Sequence, residues 1–338
     1  MDAVVPCIRR GGVNTVYVMP NLSPPITTVQ QALSYHQRLE ALEPNVTFLL
    51  SLYLHSSITP ETIVEARTAG ISGVKCYPAG VTTNSSQGIV DYESFYPVFA
   101  ELERQDLILN LHGECPSSRD ITILNAEERF LPVLRTLHRR FPKLRIVLEH
   151  CTTAAAIEAV RSCGSTVVGT ITPHHLFLTV DDWANDPFNF CKPVAKLPAD
   201  RTALLQAVVS GNPKFFLGSD SAPHSKVAKT GGPQGTSKTA AGVFTQPYVT
   251  PLVLDALEQG AVDGILQPED VTVEKLRGFL SGFGRDFYRV PDPYHETIEL
   301  VFRDEPIDDA IRGADDLRIV PFRRSQATWT VRWTHTQT

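Results

Sequence analysis

Short runs of apolar, β-branched residues alternate along the chain with longer amphipathic segments. Each short run has the length and composition of a buried strand, whereas the longer segments have the period of helices. The seven predicted strands are Val13–Met19, Thr47–Leu54, Gly73–Tyr77, Leu107–His112, Leu144–Glu149, Thr166–Ile171 and Lys214–Gly218. Strict alternation of this kind, with strands that are apolar on both faces, predicts a parallel sheet covered by helices.

Several of the longer segments carry signals for the start and end of a helix. Thr59 can cap a helix that has Pro60 at its first position, because proline lacks the N–H that such a position leaves unused. The alanine-rich segment Thr153–Cys163 and the segment Pro198–Ser210 each stop just before a glycine. These signals predict helices between the strands.

The first twelve residues precede every predicted strand, and they favour a helix that starts near Asp2 and ends at Gly11 and Gly12. A repeating series of strand–helix units that opens on a helix is one strand short. With 338 residues, we therefore expect a TIM-type (β/α)₈ barrel of the α/β class whose first strand is absent from this chain. Residues 1–304 are expected to form the barrel, with seven recognisable units, and residues 305–338 a C-terminal extension.

Composition and charge exclude several classes of function. The formal net charge is −6 and no basic stripe stands out, so we expect no nucleic-acid partner. No apolar run approaches 18 residues, so we expect no membrane-spanning helix. The six cysteines are scattered and form no CxxC pair, which indicates free thiols in a reducing compartment. We expect a cytoplasmic location.

Polar residues follow the predicted strands at the positions where a TIM barrel carries its chemistry. They are Asn21, Lys75, His112, His150, His174, His175 and Asp220. A lone histidine in such a place is more often a hydrogen-bonded structural residue than a ligand. Two histidines and an aspartate at three different strand ends, however, form a typical catalytic zinc set.

Lys75 ends an apolar strand, where an amine is costly to bury unless it is paired or chemically altered. Burial favours the neutral amine. A neutral amine can take up CO₂ to form a carbamate, whose two oxygens can bridge two metal ions. Two alternatives stay open: a lysine that extends to the barrel rim, and a Schiff-base lysine, although the latter does not explain the nearby histidines and aspartate.

Six segments together resemble the single-function dihydroorotases of bacteria and fungi, which belong to the amidohydrolase superfamily. The segments are Met19-Pro20-Asn21-Leu22, Lys75-Cys76-Tyr77-Pro78-Ala79, Thr82-Thr83-Asn84-Ser85-Ser86, Leu111-His112-Gly113-Glu114, Glu149-His150-Cys151-Thr152 and Leu217-Gly218-Ser219-Asp220-Ser221-Ala222-Pro223-His224. The resemblance covers about residues 1–300 in the family's order and is closest to the fungal branch.

The resemblance implies two zinc ions, bridged by a carboxylated Lys75. His112 and His150 would complete the second zinc site, and Asp220 would bind the first zinc. The implied substrate contacts are Asn21, Thr82, Thr83, His112, Lys192, Ala222, His224 and Ala241, with Thr82 and Thr83 on a loop that closes over the substrate. His174 and His175 have no ligand role in the family pattern and are expected to be structural.

The resemblance also implies the reaction: reversible interconversion of N-carbamoyl-L-aspartate and L-dihydroorotate in de novo pyrimidine biosynthesis. Asp220 would act as general base and then as general acid. The family further implies a homodimer with a small-molecule substrate.

The sequence departs from the family pattern at one motif. In the family the first strand ends in His-x-His-Leu-Arg, which supplies two ligands of the first zinc and an arginine for the substrate, and nothing in this chain matches it. We therefore expect an impaired first zinc site and a complete second one. A shortened gene model or isoform that begins at an internal methionine is our hypothesis for the difference.

Two alternative functions stay open. One is a catalytically inactive, dihydroorotase-like scaffold or binding protein. The other is a different cyclic amidase, of the hydantoinase or allantoinase type. The Thr82–Ser86 loop and the combination of Asn21 with His224 favour dihydroorotase.

Overall fold

The computed structural model describes residues 1–231, 238–292 and 296–335. The chain divides into two units, which we name by their place in the sequence. The central unit is Thr15–Thr170, and the terminal unit combines Met1–Asn14 with Ile171–Thr338.

The central unit alternates strand and helix from its beginning to its end. The helix α1 (Cys7–Arg10) precedes it. Its strands are β1 (Thr15–Tyr17), β2 (Thr47–Leu49), β3 (Ser51–Tyr53), β4 (Gly73–Cys76), β5 (Ile108–His112), β6 (Arg145–Glu149) and β7 (Val167–Ile171), the last ending one residue into the terminal unit. Its helices are α2 (Val29–Leu42), α3 (Pro60–Thr68), α4 (Tyr96–Gln105), α5 (Ala126–Arg140) and α6 (Ala154–Ser162), with a 3₁₀ turn at Glu93–Phe95.

All the strand pairs of the central unit are parallel. Strand β1 pairs with β2, and β3 to β7 pair in sequence order. Strands β4 and β5 are buried along their whole length, which explains why the sequence shows continuous apolar runs rather than alternation. The predicted strands of this unit are confirmed to within two residues at each end, except that the predicted Thr47–Leu54 is interrupted at Leu50.

The predicted helix starts in the central unit are also confirmed. The Thr59 hydroxyl accepts a hydrogen bond from the Thr62 amide at 3.4 Å, with Pro60 at the first helical position of α3. Thr153 caps α6 in the same way, since its Oγ1 accepts from the Ala156 amide at 3.0 Å. Each bond satisfies an amide that the helix itself leaves without a partner.

The terminal unit holds one further predicted strand and most of the irregular structure. Its helices are α1, α7 (Val180–Asn185), α8 (Pro198–Val208), α9 (Lys226–Thr230), α10 (Val249–Val262), α11 (Val273–Arg277) and α12 (Phe283–Tyr288), with a π-helical turn at Gly278–Gly282. Its strands are β8 (Phe215–Leu217), β9 (Glu296–Pro306), β10 (Ile311–Arg312), β11 (Arg318–Ile319) and β12 (Ala327–His335). Strand β8 and helix α8 confirm the predictions for Lys214–Gly218 and Pro198–Ser210.

The helix predicted from Asp2 to Gly12 is wrong over its first half. Residues 2–6 form turns, and only Cys7–Arg10 is helical. Pro6 stands at the position that caps the helix. Proline is tolerated at a helix start but not inside one, because it lacks an N–H and its ring clashes with the preceding turn. The helix therefore begins after Pro6.

The C-terminal residues add a two-stranded antiparallel ribbon of β9 and β12. Strand β12 packs on other parts of the terminal unit: Thr328 Oγ1 donates to Asp255 of α10 at 2.7 Å, and the Trp333 indole donates to the Arg9 carbonyl at 2.8 Å. The predicted boundary between residues 304 and 305 falls inside β9. The division into a barrel and an extension stays a prediction.

No helix among the described residues is long and apolar enough to cross a bilayer.

One buried carboxylate holds the loop that follows β6. Glu127, in the first turn of α5, is 1% exposed. Its oxygens accept hydrogen bonds from the Thr152 amide at 2.8 Å and from the Thr153 hydroxyl at 2.6 Å. Because Thr153 also caps α6, the carboxylate ties the start of α5 to the start of the next helix.

We predict that Glu127→Ala destabilises the protein by about 1–3 kcal/mol for each of the two donors that it leaves without an acceptor. The free energy of unfolding in urea is the measurement. Glu128→Ala is the matched control, since Glu128 is the exposed neighbour on the same helix and should change stability by less than about 0.5 kcal/mol. Equal effects of the two substitutions would contradict the assignment.

Candidate active site

Lys75 lies on β4 with its side chain buried inside the central unit. The residue is 1% exposed, and its Nζ lies 5.2 Å from the centre of the Tyr77 ring. The Tyr53 ring stacks on Tyr77 at a centroid distance of 5.2 Å. Aromatic faces attract a cation through the negative potential above the ring. The amine therefore lies among buried rings and does not reach solvent.

His112 and His150 are neighbours at the ends of two adjacent strands. Strand pairing sets His112 opposite Glu149, the residue before His150, and the two imidazole rings are 4.7 Å apart at their centres. His112 Nε2 donates to the Glu114 carboxylate at 2.8 Å. A carboxylate only accepts, so that bond places a proton on Nε2, and a carboxylate partner of this kind orients the ring of a metal-binding histidine.

His150 is held by a polar network beneath it. Its backbone amide donates to Thr170 Oγ1 at 2.7 Å, and that hydroxyl donates to Glu149 Oε2 at 2.6 Å. Asn110 Nδ2 donates to the other Glu149 oxygen at 2.6 Å. His150 has a φ of +45°, a conformation that few residues other than glycine adopt and that is concentrated at functional sites.

The sequence interpretation missed Glu114, Asn110 and Thr170. A signal for Asn110 was present, since it is the one amide side chain inside the apolar run Leu107–His112. Nothing in the residue pattern marks Glu114 as the partner of His112, because the bond depends on how the chain turns after β5.

Asn21 and the Thr82–Ser86 loop come together in the central unit. Asn21 Nδ2 donates to the Thr83 carbonyl at 3.1 Å, and Asn84 Nδ2 donates back to the Asn21 carbonyl at 2.9 Å. Ser85 Oγ donates to the Thr82 carbonyl at 2.6 Å and closes the loop on itself. Of the predicted substrate contacts, Asn21 and Thr83 thus share a hydrogen bond, and Thr82 belongs to the same loop.

Asp220 follows β8 in the terminal unit and, like His150, has a left-handed backbone, with φ +40°. The residues on both sides are fixed. Thr245 Oγ1 donates to the Ser219 carbonyl at 3.2 Å, and Ser221 Oγ accepts from the Gln246 amide at 3.0 Å. The strained position is therefore held from the Thr245–Gln246 segment.

The remaining predicted substrate contacts lie close together in the terminal unit. His224 Nε2 donates to the Ala241 carbonyl at 2.9 Å, and burial lowers the pKa of His224. The Ala222 amide donates to the Val243 carbonyl at 3.0 Å. Phe190, two residues before Lys192, accepts from the Gly242 amide at 3.0 Å.

A second group of metal-capable side chains is buried in the terminal unit. The donor atoms of His174, His175 and Cys191 lie within 4.8 Å of one another. Both nitrogens of His175 already have partners, Thr172 Oγ1 at 2.7 Å and the Pro193 carbonyl at 3.0 Å, and burial lowers its pKa to about 3. With His175 occupied, only two donors remain, which favours the structural role expected for this pair.

No His-x-His pair occurs in the sequence. Asp220 is thus the one predicted ligand specific to the first zinc, and the expected impairment of that site stays a prediction.

Comparison with known proteins defines the class and then the family. No protein-family model matches the chain. The solved structure of L-hydantoinase from Arthrobacter aurescens has a TM-score of 0.78 at 18% identity, and the match covers 98% of this chain and 78% of that one. This similarity shows a shared fold alone. The chain has a TIM-barrel fold of the α/β class.

Two nearer relatives are far more similar. A probable dihydroorotase from Schizosaccharomyces pombe is 49% identical over 335 residues, which is 98% of this chain and 94% of the relative. The crystal structure of Saccharomyces cerevisiae dihydroorotase in complex with 5-fluoroorotic acid has a TM-score of 0.90 at 44% identity, covering 99% of this chain and 94% of that one. The chain belongs to the dihydroorotase family.

We predict that Gly242→Ala destabilises the loop that carries Ala241. A Cβ at this position would lie 2.5 Å from the Ala222 carbonyl oxygen and 2.8 Å from Cδ2 of His224, so the backbone must shift. The expected cost is about 1–3 kcal/mol in urea unfolding.

The matched control is Gly264→Ala, at a glycine of positive φ where an added Cβ meets nothing within 4 Å. This substitution reports the strain of a left-handed backbone alone, about 1–2 kcal/mol. A loss at Gly242 no larger than the loss at Gly264 would show that the close approach is unimportant.

Proposed function

We propose that this chain interconverts L-dihydroorotate and N-carbamoyl-L-aspartate in pyrimidine biosynthesis, as a zinc-dependent cyclic amidase. The relatives named dihydroorotase support the substrate, because they match nearly the whole chain at 44–49% identity. The observation that carries the chemistry is the buried pair of His112 and Glu114. His112 ends the strand next to that of Lys75, and Glu114 follows two residues later.

The central unit supplies a donor set that fits zinc. The Glu114 carboxylate holds Nε2 of the His112 imidazole, and the His150 ring lies beside it. Lys75 has the burial that favours a neutral amine, so we propose that it carries a carbamate and bridges two zinc ions. Asp220 is the proposed ligand of the first zinc. When bound, the metals would lower the pKa of the attacking water and polarise the amide carbonyl.

We assign the proton transfers to the Asp220 carboxylate. In hydrolysis it takes a proton from the attacking water and delivers it to the ring nitrogen as the amide bond breaks. In ring closure the same carboxylate takes the proton from the ureido nitrogen as that nitrogen attacks the carboxyl carbon. It then returns the proton to the carboxyl oxygen, which leaves as water when the C–O bond breaks. The backbone on either side of Asp220 is fixed, which limits the orientations that the Asp220 side chain can adopt.

Substrate binding is proposed for two groups of residues. In the central unit these are Asn21, Thr82, Thr83 and His112. In the terminal unit they are Lys192, Ala222, His224 and Ala241. The hydrogen bonds within each group support this assignment, because they hold short polar segments in defined positions.

We further propose that the protein acts in the cytoplasm as a homodimer. The six cysteines are free thiols, which fits a reducing compartment. Sedimentation analysis of the purified protein tests the dimer.

Lys75→Ala is expected to abolish dihydroorotate turnover and to reduce the zinc content of the purified protein. The physical reason is that the carbamate is the proposed bridging ligand, and alanine cannot form one. Metal analysis and the rate of ring opening are the measurements. A further readout is the carbamate itself, which ¹³C NMR should detect after incubation of the parent protein with labelled bicarbonate.

Lys143→Ala, at an exposed lysine of the same unit, is the control and should change neither quantity. Zinc binding by Lys75→Ala that equals the parent would disprove the carbamate bridge. Turnover of hydantoin or allantoin in place of dihydroorotate would favour the other cyclic amidases. Dihydroorotate binding without turnover would favour the inactive scaffold.

A further inference from the structure

Lys229 is a buried lysine whose hydrogen bonds all go to backbone carbonyls. It lies on α9 and is 3% exposed. Its Nζ donates to the carbonyls of Phe190 at 2.8 Å, Ala240 at 2.9 Å and Gly242 at 2.8 Å. An ammonium has three N–H groups, so this geometry uses every donor.

The three carbonyls belong to the two segments that carry proposed substrate contacts. Ala240 and Gly242 stand on either side of Ala241. Phe190 stands two residues before Lys192, and its carbonyl also accepts from the Gly242 amide at 3.0 Å. The Lys229 side chain therefore joins two segments that are distant in sequence. The backbone of these segments sets the positions of the proposed substrate contacts.

The helix that carries Lys229 is itself fixed to His224. Ser225, the next residue, caps α9 by accepting from the Ala228 amide at 3.2 Å, and the Lys229 amide donates to the Ser225 carbonyl at 3.1 Å. His224 in turn donates to the Ala241 carbonyl at 2.9 Å. The Ala240–Gly242 segment is thus held twice from one short stretch of chain, once by imidazole and once by ammonium.

The N–H donors of lysine, rather than its volume or its charge, explain its presence at this position. Burial lowers the pKa of Lys229 to about 8, which shows that the site disfavours a cation. A methionine would fill the same space without that cost, but the Ala240 and Gly242 carbonyls would lose the Lys229 donor and the Phe190 carbonyl would keep only the Gly242 amide. The Lys229 amine is therefore needed for the hydrogen bonds that it donates to the three carbonyls.

We propose that Lys229 is a positioning residue for substrate binding, which holds the Phe190–Lys192 and Ala240–Gly242 segments in register without contacting the substrate. This inference rests on the proposed function, since those segments matter only if they bind the substrate.

Lys229→Met removes the donors and keeps the volume. We expect the KM for L-dihydroorotate to rise about 10- to 100-fold while kcat changes far less, because the loss is one of binding geometry that ground state and transition state share. Lys226→Met is the matched control: it lies on the same helix, is exposed, and should leave both constants unchanged. Lys229→Arg keeps a cation with several donors and should recover part of the lost affinity.

Hydrogen exchange gives a readout that does not depend on turnover. In Lys229→Met, peptides covering 188–193 and 238–244 should exchange faster, while peptides of the central unit stay as in the parent. If Lys229→Met does not fold, Lys229→Arg takes its place, with a smaller increase expected in the same peptides. Unchanged exchange in both segments, or a fall in kcat with an unchanged KM, would overturn the proposal. A parent protein that lacks turnover would refute the proposed function, and the exchange experiment would still decide the role of Lys229.

Discussion

The parallel register of β4, β5 and β6 determines where the chemistry of the central unit can lie. Lys75 is paired with Asn110, and His112 is paired with Glu149, so each of these two predicted site residues has a polar neighbour on the next strand. A shift of one residue would turn every side chain of a strand to the opposite face. The register is strongly specified because both faces of these strands are buried, which also makes the polar residues within them costly unless they are hydrogen-bonded.

That cost explains the network around Glu149. The carboxylate accepts from Asn110 and from Thr170, and Thr170 accepts from the His150 amide. Such a chain of bonds satisfies buried groups and also restrains the left-handed backbone of His150, which on its own would relax to an extended conformation. The polar network around Glu149 therefore both satisfies buried groups and holds the strained backbone of His150.

Much of this could be predicted from residue types and spacing. The strands and the candidates Lys75, His112 and His150 follow from buried runs that end in polar residues, since a strand end is a local property of the sequence. The hydrogen bond from His112 to Glu114 could not be predicted, because it depends on a turn that brings Glu114 back to the ring. The helix expected from Asp2 failed for a local reason, since Pro6 outweighs the apolar pattern around it.

The role of Lys229 could not be predicted from its residue type. A lysine on a short helix beside a glycine-rich segment indicates an exposed cation, and its neighbour Lys226 is exposed. Burial of Lys229 follows only from the path of segments far along the chain, 39 residues before it in the case of Phe190. Where backbone groups form a binding surface, side chains with N–H donors are needed to hold the backbone carbonyls in position. Such residues can escape a search for ligands and nucleophiles, and yet the geometry of Ala241 depends on Lys229 as directly as on His224.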